Sequence, residues 1–343
     1  MLRRPTTKVE RPAHPVVDAH AHLGRTPFGG GWFDRPVGEL IDVLDSVGVA
    51  AVVDLDGGWG DALTAEIEHY AAAGARVLVF AGVDYDGFGV DDDFGEREAR
   101  RLRDAAAAGA RGLKVWKRLG LRARDRRGRL VAVDDPRLDP LWTTSGELGL
   151  PILIHVGDPI AFFLPLDRNN ERYEELVANP DWHFWPPRPP GADDDPGFPS
   201  FDEVMAGLWH VVESHPATTF IGAHVGCAAE DLDWVSAMLD ACPNYAVDLA
   251  ARLGELGRQP YSAREFFVRH QDRIVFGTDG DPDVGEYLRW YRFLETLDES
   301  FDYGGDDVPA QGRWQIHGIG LPDDVLRKVY RDNARRILGL DGR

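Results

Sequence analysis

Residues 16–22 form an apolar, strand-like run that ends in two histidines two positions apart. Successive side chains on a β-strand alternate between its faces, so His20 and His22 point the same way. Two imidazoles on one face at the end of a strand can chelate a transition metal. An isolated pair of this kind is more often a pair of hydrogen-bonded core histidines, so its meaning depends on how the other strands end.

Three later apolar runs end in similar side chains. His155 follows one run, His224 follows another, and Asp279 follows a third. Singly, each histidine would more often be structural, and Asp279 could cap the helix that comes next. Four histidines and one carboxylate at matched positions on four strands favour a shared site.

The donor types indicate which metal such a site would hold. Imidazole nitrogens with one carboxylate suit Zn²⁺ best, with Mn²⁺, Fe²⁺ and Co²⁺ as alternatives, and they offer too few oxygens for Ca²⁺ or Mg²⁺. Three histidines and an aspartate leave a position for water, whose pKa a divalent metal can lower to about 7. The fourth histidine is then free to act as the base.

The elements that must position these residues alternate along the whole chain. Apolar, β-branched runs followed by helix-like segments are the pattern of βα units and a parallel sheet. Eight strands are predicted, at 16–22, 49–55, 76–83, 111–116, 151–156, 218–224, 244–249 and 273–278. Eight βα units in 343 residues predict an α/β fold of the TIM (β/α)8 barrel type, with functional groups at the C-terminal strand ends.

The connection after the fifth strand is unusually long. Residues 158–200 contain a proline-rich segment and several aromatic residues, among them Phe162, Phe163 and Trp182. A loop of this length in a compact domain is typically functional or disordered, and the aromatic content favours an ordered lid with a short helix at 171–178. The predicted organisation is therefore an N-terminal tail (1–14) and one barrel domain (15–343) that carries this lid insertion.

The composition of the chain argues against nucleic acid and membranes as binding partners. A formal charge of −20 disfavours nucleic acid, whose phosphates need a dense basic surface. No run approaches the roughly 18 apolar residues of a membrane-spanning helix, and the N-terminus has no secretory pattern. The two cysteines cannot form a disulfide framework. These features predict a cytoplasmic protein that acts on a small-molecule substrate.

The ordered set of His20, His22, His155, His224 and Asp279 resembles the amidohydrolase superfamily. It is most similar to the amidohydrolase-related branch that includes aminocarboxymuconate-semialdehyde decarboxylase, over roughly residues 15–340. The resemblance implies that His20, His22, His155 and Asp279 bind one metal, that His224 is the acid/base, and that Asp279 also hydrogen-bonds the water. A homodimer is suggested by the same resemblance.

Two of the four lysines in the chain, Lys114 and Lys117, stand in the fourth strand or directly after it. Lys114 and Trp116 share one face, which we expect to point into the barrel. Lys114 stands where binuclear amidohydrolases carry a carbamylated lysine between two metals. Because the remaining pattern resembles the mononuclear branch, we expect Lys114 to bind or polarise substrate instead, and Trp116 to contact the substrate beside it. Lys117 is expected to face the other way.

Two arginines are further candidates for substrate binding. Arg252, shortly after the seventh strand, could bind a substrate anion, although capping a helix or facing solvent would explain it equally well. Arg25, in the glycine-rich loop after the first strand, has less in its favour.

The residues favour a metal-dependent hydrolase that attacks a C–N or C–O bond of a small cyclic or aromatic substrate. The alternative is a non-oxidative decarboxylase of an aromatic or unsaturated acid, because the resembled branch contains many. A metal-dependent deoxyribonuclease would need an acidic metal ligand on the fourth strand, where this chain has Lys114. It would also need a basic groove, which the net charge of the chain opposes. A barrel that binds without turnover is the non-enzymatic reading.

Overall fold

The computed structural model describes residues 4, 6–24, 31–187, 197–304 and 311–340. Arg25 and residues 188–196 of the predicted lid lie outside these ranges. Eight short strands follow one another along the chain, each at a predicted position. They are β1 (Val16–Ala21), β2 (Val49–Asp54), β3 (Val77–Val79), β4 (Leu113–Val115), β5 (Ile152–Ile154), β6 (Phe220–Gly222), β7 (Tyr245–Asp248) and β8 (Ile274–Val275).

The strands close into a barrel. Strands β1 to β3 pair in parallel, as do β4 to β8. Parallel bridges from Ala81 to Leu113 and from Ala21 to Gly280 join the two groups at both seams. The TIM-barrel prediction is confirmed, and the C-terminal ends of all eight strands therefore meet at one mouth.

Helices connect the strands and cover the outside of the barrel, as the predicted alternation of strands and helices requires. In the part of the chain that the structure describes, the α-helices of six or more residues are Val37–Ser46, Gly60–Tyr70, Phe94–Ala108, Asp139–Leu148, Tyr173–Ala178, Phe201–Ser214, Leu232–Ala241, Leu253–Arg258, Pro260–Arg269 and Val284–Glu295. The C-terminal segment continues through Asp323–Arg327, a wider turn at Lys328–Asp332, and Asn333–Ile337. Among the described residues, no helix is long and apolar enough to cross a membrane.

The barrel interior is an apolar plug. Val17, Leu153, Ile221 and Val275 are almost completely buried and belong to one cluster inside the ring of strands. A larger cluster fills the space between strands and helices. Because apolar side chains fill the barrel interior, the polar side chains at the strand ends face the mouth.

The segment after β5 packs back onto the barrel with its own aromatic contacts. Phe163 lies against Phe184, with ring centroids 5.0 Å apart, and Phe162 stacks on Trp182 at 6.3 Å. Arg172, at the start of the Tyr173–Ala178 helix, is fully buried. Residues 160–187 thus form a packed wall beside the mouth of the barrel.

Candidate metal centre and its pocket

The five residues singled out from the sequence come together at the mouth of the barrel; we call them the histidine cluster. They lie on β1 or just beyond the C-terminal ends of β1, β5, β6 and β8. His20 and His22 have ring centroids 5.6 Å apart, and His155 and His224 have centroids 4.3 Å apart. Asp279 Oδ1 lies 2.9 Å from His20 Nε2 and 3.3 Å from His22 Nε2.

The predicted chelating pair on β1 is held from behind by carboxylates. Asp248, which ends β7, binds His20 Nδ1 at 2.8 Å. Asp56, two residues beyond β2, binds His22 Nδ1 at 2.7 Å. Carboxylates at Nδ1 fix each ring and leave the two Nε2 atoms to meet at Asp279, which is how metal-binding histidines are commonly oriented.

His224 is positioned by an unusual backbone. The predicted strand 218–224 ends early, at Gly222, because the chain enters a left-handed turn in which His224 has φ 59° and Val225 has φ 57°. The backbone N–H of His224 donates to Asp248 Oδ1 at 2.8 Å, and its Nδ1 donates to the carbonyl of Ala250 at 2.8 Å. Its Nε2 is thereby directed at the cluster, 3.3 Å from His155 Nδ1.

The donor set fits a divalent transition metal. Ligand atoms of His20, His224 and Asp279 all lie within 4.8 Å of one another, and His22 Nε2 approaches the same carboxylate. Buried imidazoles with one carboxylate are the donors that Zn²⁺ and its neighbours prefer. Which of His155 and His224 completes the ligand set, and which serves as acid/base, stays a prediction.

The pKa values of the cluster residues are set by burial and by the close contacts between carboxylates and imidazoles. Burial opposes ionisation of Asp279, but His224 and His20 hold its pKa well below the usual range. Burial also opposes a charged His22, yet hydrogen bonds to Asp279 and Asp56 raise its pKa to about 9. Burial lowers the pKa of His155 to about 4. The site therefore attracts positive charge to the place where Asp279 meets the β1 pair.

Lys114 points into the barrel, as the alternation on β4 predicted. Its side chain is 1% exposed, and Nζ lies 3.2 Å from His20 Nε2. Burial lowers its pKa to about 8, against the nearby carboxylates of Asp279 and Asp248. Trp116 lines the same pocket, with its ring centroid 5.9 Å from that of His22.

The expectation for Lys117 is wrong. Strand β4 ends at Val115, and Lys117 has φ −59° and ψ −1°, so the alternation of faces no longer holds there. Its Nζ turns into the same pocket and contacts Asp158 Oδ2 at 2.5 Å. The alternation of faces correctly predicted that Lys114 and Trp116 point the same way, but it did not predict the direction of Lys117, which lies beyond the strand.

A cavity of about 330 Å³ opens above the histidine cluster. Trp116, Phe162 and Trp182 provide aromatic surface. Besides Lys114 on β4, four charged side chains outside the cluster line the cavity from three loops and one short helix. We call them the charged wall: Lys117, Asp158, Glu175 and Arg252. The cavity is of a size and polarity suited to a small substrate with one ring.

Four carboxylates that contact the cluster or line the cavity were not predicted from the sequence. Asp248 and Asp56 follow the same rule that identified the histidines, since each stands at or just after the end of a strand. Reading every strand end for carboxylates would have found them. Asp158 and Glu175 carried no such signal, because both belong to the long segment after β5.

Comparison with known proteins agrees with this architecture. The family profile described as amidohydrolase matches residues 17–340, and the chain therefore belongs to this family. Members of the family depend on metals, in keeping with the donor set. A search of curated protein sequences finds no significant match.

Solved structures share the fold at low sequence identity. The 2,6-dihydroxybenzoate decarboxylase from Rhizobium superposes with a TM-score of 0.54 at 18% identity, covering 96% of this chain and 100% of that chain. A TIM-barrel protein from Bordetella bronchiseptica gives 0.55 at 15%, covering 96% and 99%. A putative amidohydrolase from Staphylococcus aureus gives 0.53 at 15%, covering 94% and 99%.

Proposed function

We propose that this protein is a metal-dependent, non-oxidative decarboxylase of a small aromatic or unsaturated carboxylic acid. The observation that carries the proposal is the pairing of a buried cation with aromatic walls directly above the histidine cluster. Lys114 supplies the cation, and Trp116 and Phe162 supply surface for a flat apolar ring. The decarboxylases that share the fold support this choice over hydrolysis, which the sequence alone had favoured.

The cluster would hold the metal through the Nε2 atoms of the β1 pair and the carboxylate of Asp279, with His155 as the further ligand that the resemblance implies. A divalent ion bound there supplies Lewis acidity toward a substrate oxygen. Asp248 and Asp56 keep the β1 imidazoles in the orientation that binding requires, since each holds the Nδ1 side of its ring.

The reaction needs a proton but no oxidant. The bond between the ring carbon and the carboxylate breaks, its electron pair stays on the ring carbon, and CO₂ departs. A proton then forms the new C–H bond at that carbon. In our proposal this proton comes from solvent, is taken up by Nε2 of His224 and passes from there to the ring carbon, because Nδ1 is anchored on the carbonyl of Ala250 and Nε2 faces the cluster.

The pocket residues would align the substrate for this step. Lys114 pairs with the reacting carboxylate or an adjacent ring oxygen, and the aromatic walls hold the ring in one plane. Phe162 and Trp182 of the segment after β5 line the cavity and would limit the access of bulk water to the ring carbon that carries the negative charge after CO₂ departs.

Hydrolysis of a C–N or C–O bond is the second candidate. His224 Nε2 and Asp279 Oδ2 are 3.9 Å apart, and a water beside both groups could be deprotonated and directed at a carbonyl carbon. The same residues would then act as base rather than as acid.

Product analysis in D₂O distinguishes the two reactions. The metal-loaded protein is incubated with hydroxylated benzoates and, separately, with lactones and amides of similar size. We expect CO₂ and arene in equal amounts, with one deuterium on the carbon that lost the carboxylate. Acid release from a lactone or amide, with no CO₂ from any carboxylate, would overturn the proposal. Protein stripped of metal serves as the control.

A further inference from the structure

We infer that Arg252 forms a second oxyanion subsite, so that the preferred substrate carries a carboxylate or similar oxyanion in addition to the reacting one. The inference rests on the proposed function and deepens it, because it specifies the class of acid that the pocket selects. Its basis is the unfilled hydrogen-bonding capacity of a buried guanidinium that lines the pocket.

Arg252 lies just after β7 and is 5% exposed, yet it lines the cavity. Its Nη1 donates to the carbonyl of Ala251 at 3.0 Å. Its Nε is buried and has no hydrogen-bond partner within the described ranges. A guanidinium has five N–H donors in a planar fork, and leaving such donors buried and unpaired is costly. The side chain can therefore donate hydrogen bonds to an acceptor group that enters the pocket.

The nearby carboxylates are committed to closer cations. Asp158 contacts Lys117 Nζ at 2.5 Å, whereas Arg252 Nη2 stands 3.9 Å from its other oxygen. Glu175 lines the same cavity but binds Arg172 Nη1 at 2.8 Å. Neither acid therefore forms a close ion pair with Arg252.

The position of Arg252 relative to Lys114 indicates a second group on the substrate. Lys114 enters the pocket from β4 and Arg252 from the end of β7, three strands further round a ring of eight. The two cations thus approach the cavity from different sides. A single carboxylate at Lys114 leaves Arg252 unfilled, whereas a ring with two oxyanion groups can contact both.

The chemical class of the substrate follows from the size of the cavity and from the geometry of the Arg252 guanidinium. A cavity of about 330 Å³ accommodates one substituted ring and not a long chain. Arginine binds planar carboxylates through two parallel hydrogen bonds. We therefore expect a monocyclic dicarboxylate, or a monocyclic acid with an equivalent oxyanion, rather than a monocarboxylic acid.

Equilibrium binding tests this without turnover. Titration calorimetry on the metal-loaded protein compares benzoate with benzene-1,3-dicarboxylate and benzene-1,4-dicarboxylate. We expect one of the dicarboxylates to bind about ten- to a hundredfold more tightly than benzoate, as a charged hydrogen bond of this kind predicts. In Arg252→Met this preference should disappear, while the affinity for benzoate changes by less than about twofold.

Arg252→Lys keeps the charge and should retain only part of the preference, since it loses the planar fork. The matched control is Arg269→Gln, which removes an exposed arginine paired with Asp240 and should leave all affinities unchanged. If Arg252→Met does not fold, Arg252→Gln is compared instead.

Three results would overturn the inference. They are equal binding of benzoate and both dicarboxylates by the native protein, a preference that survives removal of the guanidinium, and an equal loss for benzoate and dicarboxylate in the variant. The last would place the reacting carboxylate on Arg252. A preference that depends on Arg252 in a protein that releases no CO₂ would instead uphold the subsite and refute the proposed reaction.

Discussion

The histidine cluster and the charged wall face the same cavity, but they differ in what stands behind their side chains. In the cluster, His20 and His22 are backed by the buried carboxylates of Asp248 and Asp56, which stand at or near strand ends. In the wall, Arg252 keeps a buried donor without a partner among the described residues, and Glu175 comes from a short helix in the segment after β5.

We infer from this difference that the histidine cluster serves catalysis and that the charged wall determines substrate specificity. Groups tied to the barrel by two or three hydrogen bonds are held in one geometry, as metal binding and proton transfer require. Groups on loops can change without disturbing the barrel, which is how one barrel serves many substrates. We expect substitutions in the cluster to affect metal binding and kcat, and substitutions in the wall to affect KM.

The largest expected effect is that of His224→Asn. Loss of a positioned acid/base typically lowers the rate by 10²- to 10⁴-fold, and we expect kcat to fall in that range. Metal content, measured by elemental analysis of the purified variant, should stay at the native level. Unchanged activity in this variant or in His224→Ala contradicts the acid/base assignment. Loss of the metal would make His224 a ligand instead.

A smaller effect is expected when the support behind a ligand is removed. Asp56→Asn keeps a hydrogen bond to His22 but removes the charge, and such changes typically weaken metal binding ten- to a hundredfold. Competition with a chromogenic chelator measures the change. Asp61→Asn, on the exposed face of the Gly60–Tyr70 helix, is the matched control. Equal metal affinity in Asp56→Asn and the native protein would show that His22 needs no such support.

The smallest effect is expected at the aromatic surface next to the charged wall. Trp182 stacks with Phe162 and lies under Lys117, whose Nζ is 5.1 Å from the ring centroid. Trp182→Ala should raise KM roughly tenfold and leave kcat nearly unchanged, because the contact is made equally in ground and transition states. Trp209→Ala, which removes a tryptophan paired with Trp234 on the outer helices, should change neither parameter. A fall in kcat for Trp182→Ala would assign the ring a role in the chemical step.

The same contrast explains how much could be predicted from the sequence. Strand ends are visible in hydrophobic periodicity, and parallel strands bring their ends together, so the five residues of the cluster could be named without coordinates. Lys114 was placed correctly for the same reason. Periodicity stops at the last residue of a strand, which is why the direction of Lys117 was wrong.

Tertiary contacts between loops have no such signature. Asp158 and Glu175 lie in the segment after β5, whose path depends on contacts such as the buried pairing of Arg172 with Glu175. The position of Arg252 could be identified, but its burial and its unfilled donor could not. No sequence pattern predicted the left-handed backbone conformation at His224.

That left-handed turn has a consequence for attempts to make the protein more robust. Val225 is a buried, β-branched residue at φ 57°, a conformation that costs a residue with a Cβ about 1–2 kcal/mol. Glycine there would relieve the backbone but would also leave a cavity, because the side chain of Val225 is completely buried in the core, so the exchange would lower stability. The packing that offsets the strain also holds the peptide that aims His224, so a library screened for stability would keep valine at this position.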